Sequence, residues 1–151
     1  MGEIRTMVRL ENYEDAVLCR ARKTTKKKIR FREIDAVVDT GAVMTLLPQD
    51  LVEDLGLQVI DRVIVQLAND QKIELPLVGG LILSIAGRNM QTDCLVGPPG
   101  CEPLIGQIVM ERLDLICDPG RRTLTPRPES PYLPTLKLKG LAPEAALVSH
   151  V

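Results

Sequence analysis

Short runs of valine, leucine and isoleucine, each cut off by a polar or glycine-bearing turn, recur through most of this chain. Branched side chains suit a pleated surface and crowd a helix, so such runs predict strands, and the turn residues between them predict hairpins. Residues 4–10 and 16–21 read as two strands joined across residues 11–15. Residues 59–67 and 73–78 flank a turn whose Asn69 and Asp70 tolerate left-handed backbone. Residues 81–86 and 90–96 flank Gly87, Arg88 and Asn89 as a third hairpin, and residues 115–117 and 123–125 flank a turn at Pro119 and Gly120. Helical spacing appears in two places. Leu51, Val52 and Leu55 lie within residues 49–55, stopped by Gly56, and Ile108, Val109, Arg112 and Leu113 lie within residues 106–113. The expectation is a mostly β chain, a small and mostly antiparallel β barrel with two short helices.

A length of 151 residues suits one domain with its own core. Hydrophobic residues make up 45% of the chain, yet it has one Phe, two Tyr and no Trp, so that core must be aliphatic. At Pro126 the composition changes: PRPESPYLP carries four prolines and predicts an extended segment, a linker or a polyproline ligand. The division expected is a folded domain over residues 1–125 and a Pro-rich tail over residues 126–151. Within the tail, residues 135–139 could add a strand, and the residues from 141 onward have weak helical character and are expected to fray.

Charge selects no partner on its own. With 19 basic and 20 acidic residues the net charge is -1, which supplies no global field for nucleic acid or an anionic membrane. The basic stretch RARKTTKKKIRFRE contains one aromatic, Phe31, and so no stacking platform; it reads as a solvated loop and strand edge. The four cysteines match no zinc spacing and the one histidine is His150, so neither a metal nor another cofactor is expected. The opening MGEIRT lacks the basic-then-apolar order of a secretory signal. The uncharged run over residues 75–87 is too short for a bilayer, so a cytoplasmic protein with free thiols is expected.

The stretch AVVDTGAVMTLLP carries the chemistry. An apolar strand runs into Asp39, where an unpaired charge in a partly dry place costs on the order of several kcal/mol, so a function for that carboxylate is expected. Gly41 permits close backbone approach at the turn, and downstream PLIG, ending at Gly106, opens the second helix. The set VDTGAVMTLLP, DCLVGPPG, EPLIGQIVMERLDLICDP and PRPESPYLPTLKLK resembles the retropepsin-like aspartic proteases, and more narrowly a prokaryotic family of clan AA. The resemblance runs from the first strand to about residue 139.

That resemblance implies a small closed antiparallel β barrel of the acid-protease type and a homodimeric endopeptidase acting on peptide or protein substrates. No nucleic acid, membrane or cofactor is implied. Asp39 would be catalytic, one from each protomer, because the chain holds a single DTG. Thr40 would bond across the dimer, Gly41 would offer backbone contacts to substrate, and Ala42 would line the cleft. Asn69, Asp70 and Gln71 match the flap turn, while Leu104, Ile105 and Gly106 match the loop and helix packed behind the aspartate. Two positions depart from retroviral members: Val43 stands where an acid is usual and Gln107 where an arginine is usual, so a supporting ion pair is missing. The flap tip also lacks its glycines. A second reading follows from these departures, a catalytically weak or inactive dimer that binds peptide or mediates assembly.

Overall fold

In the computed structural model, which describes residues 3–141, strand β1 (Ile4–Asn12) buries Ile4, Val8, Leu10 and Asn12 and leaves Arg5 and Met7 exposed. That alternation is what a strand with one face on a core requires. β1 pairs antiparallel with β2 (Phe31–Val38), from Ile4 opposite Val38 to Glu11 opposite Phe31. The remaining strands are β3 (Leu46–Pro48), β4 (Gln58–Gln66), β5 (Lys72–Ile85), β6 (Arg88–Gly97) and β7 (Leu104–Ile105), in the order β1-β2-β7-β3-β6-β5-β4. The end of β1 also pairs with β5, Asn12 opposite Leu81, so six strands return on themselves and β4 hangs on the outer edge of β5. Two pairings are parallel, β2 with β7 and β3 with β6; β8 (Leu115–Asp118) and β9 (Thr123–Pro126) form a separate hairpin. The protein is mostly β.

The core inside the ring is aliphatic, as the composition demanded. Leu10, Leu47, Leu55, Leu81, Leu83, Ile105 and Leu113 are fully buried, and none of the three aromatics is. Burying each such side chain contributes roughly 1.5–3 kcal/mol. Helix α2 (Gln49–Asp54) lies where Leu51 and Val52 predicted it and stops before Gly56, whose φ of +67° suits glycine. Helix α3 (Gln107–Arg112) likewise buries Val109 and Met110. Among the described residues no helix is long and apolar enough to cross a membrane.

Four expectations fail, the first three for a local reason. Residues 16–21 do not form a strand: Tyr13–Arg20 is a helix, α1, so there are three helices rather than two. Asn12 caps it, its Oδ1 accepting the Asp15 N–H at 2.9 Å, with Glu14 and Asp15 in the first turn and Arg20 in the last, an order that favours the helix dipole. Residues 73–78 and 81–86 are not separate strands, because β5 runs on through Gly79 and Gly80 with a register shift there and φ +78° at Gly80. The turn into β6 is Ala86-Gly87, both at positive φ as a two-residue type I′ loop requires, so Arg88 opens a strand instead of sitting in a turn. Residues 135–139 form no strand, and the fraying expected from residue 141 onward falls, beyond that first residue, outside the described residues.

A buried carboxylate ties the chain after β9 to the body. Asp114, with a side chain 5% exposed, accepts from Arg127 Nε at 2.8 Å, the Ser130 hydroxyl and the Thr135 N–H at 3.0 Å. Buried Arg88 donates to the carbonyls of Leu113, Asp114 and Ser130. The Ser130 hydroxyl first, then Arg127 and the Thr135 amide, hold the Asp114 carboxyl well below the usual carboxylate range.

Two outcomes follow. Asn12 also donates from Nδ2 to the Leu55 carbonyl at 2.7 Å in the interior, so Asn12→Ala removes a cap and orphans an acceptor; urea denaturation should show a loss of about 2–4 kcal/mol. A depressed folded pKa stabilises above the unfolded value, so the contribution of Asp114 is complete above about pH 4 and fades as pH falls toward the folded value. The urea midpoint should therefore drop between about pH 4 and pH 2, and Asp114→Asn should flatten that limb.

Candidate active site

Burial along β2 alternates toward its end, with Ala36 and Val38 inside, and Asp39 is the next residue. The chain then loops through residues 39–45 and re-enters the ring as β3. Strand β7 sits between the two strands this loop joins: Val38 is opposite Ile105 and Leu46 is opposite Leu104. The loop thus straddles a two-residue strand. Its backbone is tied to that strand and to the helix beyond. The Asp39 N–H donates to the Ile105 carbonyl at 3.0 Å, Gln107 N–H to Ala42 O at 2.7 Å, and Ile108 N–H to Val43 O at 3.1 Å. The last two are first-turn donors of α3, which no bond within the helix can satisfy, so the loop carbonyls complete the helix end.

Gly106 makes this approach possible. Its φ of -98° is ordinary, but a Cβ there would lie 2.6 Å from the Met44 carbonyl oxygen and 2.8 Å from that of Val43. Close packing, not backbone conformation, requires glycine at this position. Gly41 is a milder case, where a Cβ would lie 3.3 Å from Asp39 Oδ1.

The Asp39 side chain is half-buried, and its Oδ1 accepts the Gly41 N–H at 2.8 Å. That bond aims the carboxylate, and no described residue donates to Oδ2. Thr40 and Gly41 are exposed and Ala42 is half-buried. Behind the loop Thr45 is buried with a hydroxyl that has no partner among the described residues, a site that sequence reasoning did not single out.

The structure therefore brings Asp39, Ala42, Ile105 and Gly106 together, with Leu104 one residue away on β7. Asn69, Asp70 and Gln71 lie apart from them, at the tip of the β4–β5 hairpin. There Leu67 N–H reaches Gln71 O at 2.8 Å and Asp70 N–H reaches Leu67 O at 2.9 Å, around a three-residue loop whose last residue, Asp70, has φ +65°. Glycine commonly fills that position. Here Asn69 Oδ1 accepts the Gln71 N–H, and Gln66 Nε2 donates to Asp70 Oδ1 at 3.1 Å.

A protein-family model described as aspartyl protease matches residues 27–109, just over half of the chain and the whole span from β2 through the first half of α3. The chain belongs to the retropepsin-like aspartyl proteases. No curated protein matches it. In this aspartyl protease family member three of the four thiols are held further into the protonated, less nucleophilic form. Burial, reinforced by Asp93, pushes the Cys94 thiol up to about 12, and burial raises Cys101 and Cys117 as well.

Gly106→Ala should displace the loop at residues 43–44 and cost roughly 1–3 kcal/mol by urea denaturation, the range for overpacking. Gly41→Ala should cost less, because its neighbour is the end of a side chain and not backbone.

Proposed function

We propose that the protein is a homodimeric aspartic endopeptidase in which Asp39 of each protomer contributes one of two carboxylates at a twofold axis. The reading rests on one observation above all. A half-buried carboxylate, held at one oxygen by the Gly41 N–H, stands on a loop braced by β7 and α3, and the chain supplies a single such group in a DTG turn. In this reading the closed ring of strands is the acid-protease barrel.

Two carboxylates at contact distance cannot both ionise, so the pair keeps one proton; aspartic proteases are the standing example of such sharing. The ionised member takes a proton from a water as its oxygen bonds to the peptide carbonyl carbon. The protonated member gives its proton to the carbonyl oxygen. When the tetrahedral intermediate collapses, the C–N bond breaks, the amine leaves with a proton, and the pair again holds one. Asp39 is the catalytic residue in this scheme. Thr40, exposed beside it, reaches the partner's loop; Gly41 and Ala42 meet the substrate backbone; Leu104, Ile105 and Gly106 hold the loop from behind. Asn69, Asp70 and Gln71 form the tip that closes over an extended peptide, held by side-chain bonds in place of glycines.

A binding or assembly dimer without turnover is the second reading, motivated by Val43, which is 66% exposed where an acid would anchor the loop. Subunit exchange separates the two. When equal amounts of wild type and Asp39→Asn are mixed, about half of the dimers are wild type before exchange and about one quarter after random exchange. Peptidase activity on an unstructured protein substrate should fall to about half of its pre-exchange value. Exchange demonstrated by fluorescence transfer with no change in activity would overturn the paired-carboxylate mechanism, and absence of activity in the wild type would favour the second reading.

A further inference from the structure

Residues 20–32 hold eight of the nineteen basic residues and none of the twenty acidic ones, so this segment carries +8 and the rest of the chain -9. The near-zero net charge conceals a strong separation. In the structure the segment spans the end of α1, a loop with one 3₁₀ turn (Lys26–Lys28) and the start of β2. Arg30 is taken up by Asp15, with Nε 2.8 Å from Oδ2, and Arg32 lies 3.8 Å from Asp54. The other six, Arg20, Arg22, Lys23, Lys26, Lys27 and Lys28, are exposed and form no ion pair with a described residue.

Two of these cations, Arg20 and Lys26, line a groove, and the other four stand on the same short segment beside it. A depression of about 760 Å³ between β1, α1 and β5 adjoins a second of about 590 Å³ that reaches the basic loop, and the two share Arg9, Glu11, Ala16 and Arg20. The floor differs from the rim. Arg9 is engaged by Glu11 at 2.8 Å and Glu33 at 3.3 Å, and its guanidinium lies 4.2 Å from the centre of the Phe31 ring. Met7, Ile29, Ile82 and Phe31 supply apolar surface, Met7 being 60% exposed and Phe31 44%. β2 starts beside this groove at Phe31 and ends at Val38, with Asp39 the next residue, eight on from Phe31, so the two places lie roughly 26 Å apart along the strand direction.

We infer that this groove is a docking site, distinct from the Asp39 loop, for an acidic peptide segment that carries apolar side chains. Its carboxylates meet Arg20 and Lys26 at the rim and the other exposed cations of the adjoining segment, and its apolar side chains cover Met7, Ile29, Ile82 and Phe31 on the floor. A nucleic acid fits less well. The one aromatic in the groove, Phe31, is already faced by Arg9, which leaves no ring for a base to stack on. A peptide needs neither a stacking ring nor a continuous cationic track.

The test uses the full chain with Asp39→Asn, so that binding is read without turnover and stands or falls apart from the peptidase reading. A fluorescein-labelled peptide of alternating glutamate and leucine should bind by anisotropy, and the binding should weaken as salt screens the rim. Adding Lys26→Glu, Lys27→Glu and Lys28→Glu should lower the affinity at least about tenfold, as three reversals of exposed charges imply, with the thermal melt unchanged because all three side chains are exposed. The corresponding Lys→Gln triple should fall between. Equal affinity in the reversal variant, tighter binding of an oligothymidylate than of the peptide, or a loss of dimer on sedimentation of the reversal variant would each overturn the inference.

Discussion

The approach of Gly106 to the carbonyls of Val43 and Met44 is the contact on which the site depends. β7 is two residues long and has no stability of its own; it exists because β2 and β3 grip it from either side. A bulkier residue after it would push the helix away from the loop, and the loop carbonyls would lose the N–H groups they satisfy. The buried Ile105 side chain closes the arrangement from within the core. One small residue thus couples the aliphatic core, the first turn of α3 and the orientation of Asp39.

In the proposed reading, this builds half of a catalytic arrangement. A single carboxylate with one oxygen fixed by a backbone N–H is equally a well-made turn, and an aspartate capping its own loop needs no substrate. The reading as chemistry draws on the family to which the chain belongs and on a brace far stronger than a capping turn requires. Fold alone would not carry it, since function resides in the site.

Much of this was legible in the sequence because it rests on local pattern. The strand runs, α2 and α3 follow from period, turn residues and glycine placement, whereas the link between DTG and PLIG was implied by the family resemblance. α1 was misread because Ala16, Val17 and Leu18 satisfy a strand as readily as a helix over so short a span; the deciding signal was Asn12 three residues before Asp15. Arg88 looked like a turn residue, since its carbonyl partners lie 25 to 42 residues away and leave no local trace. Asp114 did leave one. It stands between Leu113 and Leu115 just as Asp39 follows an apolar strand, and the reasoning that singled out the first carboxylate applies to the second. The parallel pairings of β3 and β7 could not be read at all, because segments of three and two residues carry no period.

The two departures at Val43 and Gln107 acquire a different meaning in three dimensions. Where an acid and an arginine would tie the loop to the helix by charge, this chain uses main chain: Ala42 O and Val43 O accept the Gln107 and Ile108 N–H groups, and the Gln107 side chain turns to Glu111 at 3.4 Å. An exposed ion pair contributes about 0–1 kcal/mol and weakens with salt. A pair containing a carboxylate also fails as acid protonates it. The main-chain bonds have no titrating member, so the loop keeps its brace across the acid range in which a proton-sharing carboxylate pair would work. The acid-sensitive anchor, Asp114, lies beyond the other end of α3, and its loss would loosen the chain after β9 before it touched the bonds that aim Asp39.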